Sequence, residues 1–323
     1  MRPIVLPPNS VPRFYRGGAA IAALRGIETA AERAPEEWVG STTTVFGEQE
    51  LGLSRLADGR LLRDAMAADP VAFLGPDRGA DPRLLVKLLD AGERLPVHVH
   101  PDGAFAYEQL GSPYGKTEAW IVIATAGPAA TMHVGFRDEV SADTLERWVR
   151  DQDAAAMLDA LNVLEVREGH VLFVPAGTPH SIGADVLLVE LQEPSDLSIL
   201  LEWEGFAGGE EEASLGLDWD AALRCVDRSG TDADRLLGHH LPAEADRFFR
   251  AEWIAASTSA EVDRGFAILI FTGGAAELRC EDGEPLRVGR GDAVLVPWSA
   301  GAWRLEGEAA AVACRPPLAG GAP

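Results

Sequence analysis

Basic residues are scarce in this 323-residue chain: 28 lysines and arginines face 51 aspartates and glutamates, for a formal net charge of −23. A field of that sign repels phosphate backbones and anionic bilayers, so neither nucleic acid nor a membrane is an expected partner. Cysteine is scarcer still. Cys225, Cys280 and Cys314 are odd in number, widely spaced and without a C-x-x-C pair, which argues against a disulfide framework and for a reducing compartment. The N-terminus, Met1-Arg-Pro-Ile-Val-Leu-Pro-Pro8, has no apolar run long enough for a signal peptide or membrane span, and the expected location is the cytoplasm. Histidine is sparse too, with seven in all. What is present is an ordinary globular balance, 47% hydrophobic and 24% charged, in a chain long enough for two domains.

Three of the seven histidines stand in a suggestive pattern. His98-Val-His100 places two imidazoles two residues apart, which on a strand is the same face. Gly169-His-Val-Leu-Phe-Val-Pro175-Ala-Gly177-Thr-Pro-His180 supplies the third, with Pro175 and Gly177 turning the chain ahead of it. Between them, Gly115-Lys-Thr-Glu118 brings a carboxylate to the start of a strand expected over Glu118-Ala-Trp-Ile-Val-Ile-Ala124. Three imidazoles and one carboxylate complete the inner ligand set of a transition metal, so His98, His100, Glu118 and His180 are the expected ligands. The alternative is a set of barrel histidines satisfied by local hydrogen bonds. His133 and His170 have no partner at ligand spacing.

The rest of the chain reads as mainly β. Strands are expected over Pro82–Leu89, Leu95–His100, Val171–Val174 and Ile182–Leu191, and later over Phe266–Phe271, Ala276–Cys280, Ala293–Val296 and Ala309–Cys314. Helices are expected over Leu61–Ala68, after the N-cap Ser141, near Ala154–Leu161, and over Asp218–Asp227. Gly205-Phe-Ala-Gly-Gly-Glu-Glu-Glu212 reads as an exposed acidic loop. Val166-Arg-Glu-Gly169-His-Val-Leu-Phe-Val-Pro175 is echoed by Val288-Gly-Arg-Gly291-Asp-Ala-Val-Leu-Val-Pro297, which implies a second barrel of the same kind. No histidine follows His240, so that second barrel has no equivalent ligand set. The expected division is a metal-binding lobe over 1–205, with a helical insertion at about 141–161, and a linker helix with a second lobe over 206–323.

Gly169 to His180 fits the second signature of the cupin superfamily, G-x5-P-x-G-x2-H. Val97-His-Val-His-Pro-Asp102, the wide gap to Gly115-Lys-Thr-Glu-Ala-Trp120, Leu85-Val-Lys-Leu-Leu-Asp90 and Leu188-Val-Glu-Leu-Gln-Glu-Pro-Ser-Asp196 resemble the type I mannose-6-phosphate isomerases, short bacterial form, as do Gly17-Gly18 and Glu37-Trp38. The resemblance covers most of the chain. It implies two cupin (jelly-roll-like) barrels with a few inserted helices, and an aldose–ketose isomerase working through an enediol. It also implies one Zn2+ per chain, other divalent transition metals being alternatives, and a small-molecule sugar or sugar phosphate as partner.

Lys116 is the expected catalytic or substrate-binding residue, with Glu190 a second acid–base candidate that is equally readable as solvent-facing. Lys87 is readable as a strand-edge residue or a phosphate contact, Asp102 as a turn former, and Trp120 as a possible lining residue. Two departures stand out. His98 occupies a position where the family carries glutamine, and Leu197-Ser-Ile-Leu-Leu-Glu-Trp-Glu-Gly-Phe206 has no arginine where the family carries one. The first makes an oxidative, oxygenase-type cupin the alternative function. The second makes a sugar-binding regulator without turnover the other, and predicts weak preference for a phosphorylated sugar. Nothing in the sequence sets an oligomeric state.

Overall fold

The computed structural model describes residues 1–28, 32–255, 261–281 and 283–318. Two antiparallel sheets enclose the first barrel. The larger runs, strand beside strand, through Leu237–Gly238, Val171–Val174, Glu118–Thr125, Val186–Gln192, Leu85–Ala91, Glu36–Val39 and Ser10–Val11. The smaller contains Ile199–Leu200, His98–Val99, His180–Ile182, Ala130–Phe136 and Leu161–Val166. A second barrel is built from a five-stranded sheet, Ile4–Val5, Ala293–Val296, Ala267–Gly273, Ala310–Arg315 and Arg250–Ala255, facing a three-stranded one, Leu286–Gly289, Ala275–Cys280 and Trp303–Gly307. The fold is mainly β, as the two-barrel expectation had it. The division at residue 205 is crossed in both directions: Ile4–Val5 pairs with Leu295 and Val294 of the second barrel, and Leu237–Gly238 pairs with Leu172 and Val171 of the first.

The seven-stranded sheet is apolar on both faces, and alternation decides what each face does. Leu89, Trp120, Val122, Leu172, Val174 and Leu188 point into the first barrel. The intervening Val86, Leu88, Ile121, Phe173, Val189 and Leu191 pack outward with Ile268, Ile270, Leu295, Val312 and Cys314 of the second barrel in one continuous core. The barrels therefore meet sheet to sheet.

Local signals place several elements where the sequence put them. Ser141 caps Ala142–Arg150 by accepting from the Thr144 amide, and Asp153 caps Ala154–Ala160 by accepting from Ala156. Three expectations are corrected. The helix expected over Asp218–Asp227 is one turn, Trp219–Ala222, tightening into Leu223–Cys225, because the Asp227 amide is drawn off to the Gly177 carbonyl at 2.8 Å. The strand expected over Ile182–Leu191 is two strands in different sheets. Asp185 at φ 66° turns the corner and donates to Ala91 O at 2.7 Å. The acidic loop contains a short helix, Glu210–Ala213, and Phe206 packs edge-on against Phe14 at 6.1 Å.

Candidate metal centre

His98 and His180 are directly opposite one another on neighbouring antiparallel strands, so the ladder itself brings the two halves of the motif together. Glu202, from the segment lacking arginine, braces this strand: it accepts from the Val97 amide at 2.9 Å and pairs with Arg94 at 2.5 Å. Gly177, at φ 86°, makes the turn ahead of His180, and its amide donates to His100 O at 2.8 Å. Glu118 arrives from the opposite sheet. Gly115 lets that segment pass close to the backbone: a Cβ there would lie 2.6 Å from the Asp102 carbonyl carbon. Asp102 itself caps Gly103–Leu110 by accepting from the Phe105 amide, which the sequence did not foresee as a helix.

The three imidazoles are held in one tautomer. His98 Nδ1 donates to Pro96 O at 2.9 Å, His100 Nδ1 to Leu197 O at 2.8 Å, and His180 Nδ1 to Thr178 O at 2.8 Å. A carbonyl oxygen only accepts, so each Nδ1 carries the proton and each Nε2 offers a lone pair. Ligand atoms of the three lie within 4.8 Å of one another, the only such group among the described residues. Glu118 adds its carboxylate at 3.2 Å from His100 Nε2 and 3.7 Å from His180 Nε2. His180 Nε2 is buried without a hydrogen-bond partner. Burial lowers all three histidines, His180 to about 3, with neighbouring imidazoles adding to it at His98 and His180. Burial alone would raise Glu118, but His100 and Lys116 more than offset it and hold it well below the usual carboxylate range. Neutral imidazoles with fixed, inward lone pairs beside an ionised carboxylate could hold a divalent transition metal.

Lys116 enters the same cavity, 3.0 Å from Glu118 Oε1 and 3.3 Å from Ser198 Oγ. Glu190 is buried and lines the cavity rather than facing solvent. Trp120 lies on the wall, its ring 5.2 Å from His180 and its indole N–H donating to Glu118 at 3.3 Å. Lys87 is not at an edge: it sits in the third-from-last strand of the seven, 3.0 Å from Glu190 Oε1 and 3.5 Å from Glu36 Oε2. Sequence reasoning missed Glu36 and Tyr15 and did not foresee the bonds of Arg13. The Tyr15 hydroxyl donates to Glu36 at 2.6 Å, and Arg13 forks onto Asp196 at 3.0 and 3.2 Å. The legible signal was a lysine inside the apolar run Leu85-Val-Lys-Leu-Leu89, since an unpaired lysine there is untenable. Burial, then the charge of Glu118, pushes Glu190 up to about 7 despite Lys87. Arg16 stays on the surface with Glu93 at 2.8 Å, and His133 and His170 lie outside the cavity lining.

No protein-family profile matches the chain. A mannose-6-phosphate isomerase of Streptococcus mutans serotype c is 35% identical over 133 residues, 41% of this chain and 40% of that relative, so the match spans under half of that protein. A mannose-6-phosphate isomerase of Bacillus subtilis is 28% identical over 242 residues, 70% of this chain and 72% of the relative. The crystal structure of the mannose 6-phosphate isomerase from Bacillus subtilis superposes with a TM-score of 0.80 at 22% identity, covering 98% of this chain and 100% of that one. The chain is similar in sequence to mannose-6-phosphate isomerases over part of its length and shares the two-barrel fold of the solved one from Bacillus subtilis.

Proposed function

We propose that this protein is a metal-dependent aldose–ketose isomerase that interconverts mannose 6-phosphate and fructose 6-phosphate or a closely related sugar pair, with one Zn2+ per chain. One observation carries the reading: three Nε2 lone pairs and one carboxylate converge in a cavity that also holds a buried glutamate ionising near neutrality. His98, His100, Glu118 and His180 would hold the metal, which when bound supplies a Lewis acid for the sugar carbonyl and its neighbouring hydroxyl. The chain's own residues do the rest. Glu190, as carboxylate, takes the C2 proton of the aldose and returns it to C1, and a group ionising at about 7 suits both directions. Lys87 holds that carboxylate in place at 3.0 Å. Lys116 donates toward the oxyanion that develops as the enediol forms.

Charge supports this use of the site. Among the charged residues that line the cavity, Glu36, Glu118 and Glu190 balance Arg13, Lys87 and Lys116 three to three, so a divalent cation would leave it net positive rather than strongly charged. The same pairing leaves these three cations each against a carboxylate, with none in reserve for a dianionic phosphate. Weak preference for the phosphorylated sugar follows.

The test is solvent deuterium incorporation at C2 of mannose and mannose 6-phosphate with the zinc-loaded protein, with oxygen uptake followed in parallel. Exchange without oxygen consumption, and kcat/KM values within about a hundred-fold of each other, are expected. Oxygen consumption or saturable binding without exchange would overturn the isomerase reading. A phosphate preference above roughly a thousand-fold would overturn only the second point.

A further inference from the structure

Outside this cavity, four arginines of an acidic chain gather around one crevice. This crevice between the lobes, sharing no lining residue with the cavity, is lined by Arg78, Arg250, Arg264 and Arg315, with Trp298 and Asp77. Arg78 follows the Pro70–Leu74 helix of the first lobe, Arg250 opens the Arg250–Ala255 strand and Arg315 closes Ala310–Arg315. Arg250 and Arg315 are direct cross-strand partners, a placement that like charges disfavour. Arg264 has its own carboxylate, Glu281, and lies over the Trp298 ring at 4.9 Å. The other three have none: among the described residues no carboxylate oxygen comes within 4.0 Å of them.

Their hydrogen bonds go to main-chain oxygens instead. Arg78 donates to Pro317, Arg250 Nε to Pro316 at 3.1 Å, and Arg315 Nη2 to Asp263 at 3.0 Å. Arg315 is only 9% exposed and its Nε has no partner. Burial disfavours the cation at all three, and neighbouring guanidiniums add to this at Arg78 and Arg315. A guanidinium does not shed its charge in a protein, and the carboxylates of Asp246, Glu252 and Asp263, beyond ion-pair distance, offset this cost only in part at Arg250 and Arg315. Other buried or half-buried basic groups of the chain do have carboxylate partners, Arg13 with Asp196, Arg25 with Glu37 and Lys87 with Glu190 among them.

We propose that this crevice is an anion site that takes a phosphoryl group, either free phosphate or that of a small phosphorylated molecule. Planar guanidinium forks match phosphate oxygens two at a time, and three of them exceed the charge of the dianion they would hold. A bound phosphoryl group would bridge Arg78 of the first lobe to Arg250 and Arg315 of the second.

Calorimetric titration of the full-length, zinc-loaded protein with inorganic phosphate, a hexose 6-phosphate and a nucleoside diphosphate tests the site, with Arg78→Gln and Arg250→Gln as variants. At least one probe should bind with Kd of about 1 mM or tighter, and the tightest of the three identifies the source of the phosphoryl group. Each variant should weaken that binding about ten-fold or more. Arg78→Gln, outside the sugar cavity, should leave kcat/KM in phosphate-free buffer within about two-fold of wild type, which separates this site from any phosphate bound in the cavity. No binding of any probe, or equal binding by wild type and both variants, would overturn the proposal.

Discussion

The chemistry of the centre is set residue by residue through hydrogen bonds made away from it. A carbonyl behind each imidazole fixes the proton on Nδ1, so removal of one ring deletes a ligand that no neighbour replaces. His180→Ala should therefore lose its zinc on dialysis and its activity with it, as elemental analysis beside a turnover assay will report; retained full occupancy would contradict the ligand set. Glu190 carries the other prediction at this scale. Its ionisation near 7 means that the base form, and with it kcat/KM, should rise as pH rises through about 7. Glu190→Gln should lower kcat by about 10²- to 10⁴-fold with little change in KM, and the acid limb should vanish. An unchanged limb in that variant would move the base elsewhere.

At the scale of elements, the decisive feature is a charged row across apolar strands. Trp38, Lys87, Glu190 and Trp120 are successive neighbours in the register of four adjacent strands. Glu36 reaches the same row from two residues before Trp38. Burial alone would raise Glu36, but Lys87, Arg13 and the hydrogen bonds from Tyr15 and Trp38 bring it down to about 2. A depressed carboxyl contributes stability above its unfolded pKa and loses it as pH falls through the folded value. Wild-type protein should thus lose on the order of 3 kcal/mol between about pH 4.5 and pH 2 from this group alone. Glu36→Gln should be less stable at pH 7 and show a shallower acid limb; parallel denaturant midpoints across that range in both proteins would remove Glu36 from the account.

The whole molecule is tied together by the outer face of the seven-stranded sheet. Val86, Leu88, Ile121, Val189 and Leu191 are each at most 1% exposed, within the core shared with the second barrel. Each is worth roughly 1.5–3 kcal/mol when buried, against a total stability of about 5–15 kcal/mol for a domain. A chain ending at residue 205 should be insoluble or inactive, since these side chains lose their cover. A soluble, monodisperse and active truncation by size-exclusion chromatography would show that the lobes stand alone. The second barrel, with no histidine after His240, serves in this view as cover for the first and as one wall of the arginine crevice.

The ligand pattern, both barrels and most of their strands were legible in the sequence because they depend on short-range rules: alternation along a strand, turn residues at fixed offsets, and capping side chains. The echo from Val288 to Pro297 was readable for the same reason. Long-range pairing was not. That Asp227 would be drawn to Gly177, ending a helix early, depends on a contact 50 residues away. The meeting of Arg13 with Asp196 is a long-range contact between two loop residues, and that of Arg250 with Arg315 depends on strand register, where one position would send each side chain to the other face. The sequence alone determined which residues could bind a metal. Only the tertiary structure decided that Glu190 is buried beside Lys87, because burial and neighbouring charge, which set when a carboxyl ionises, are properties of the packed chain.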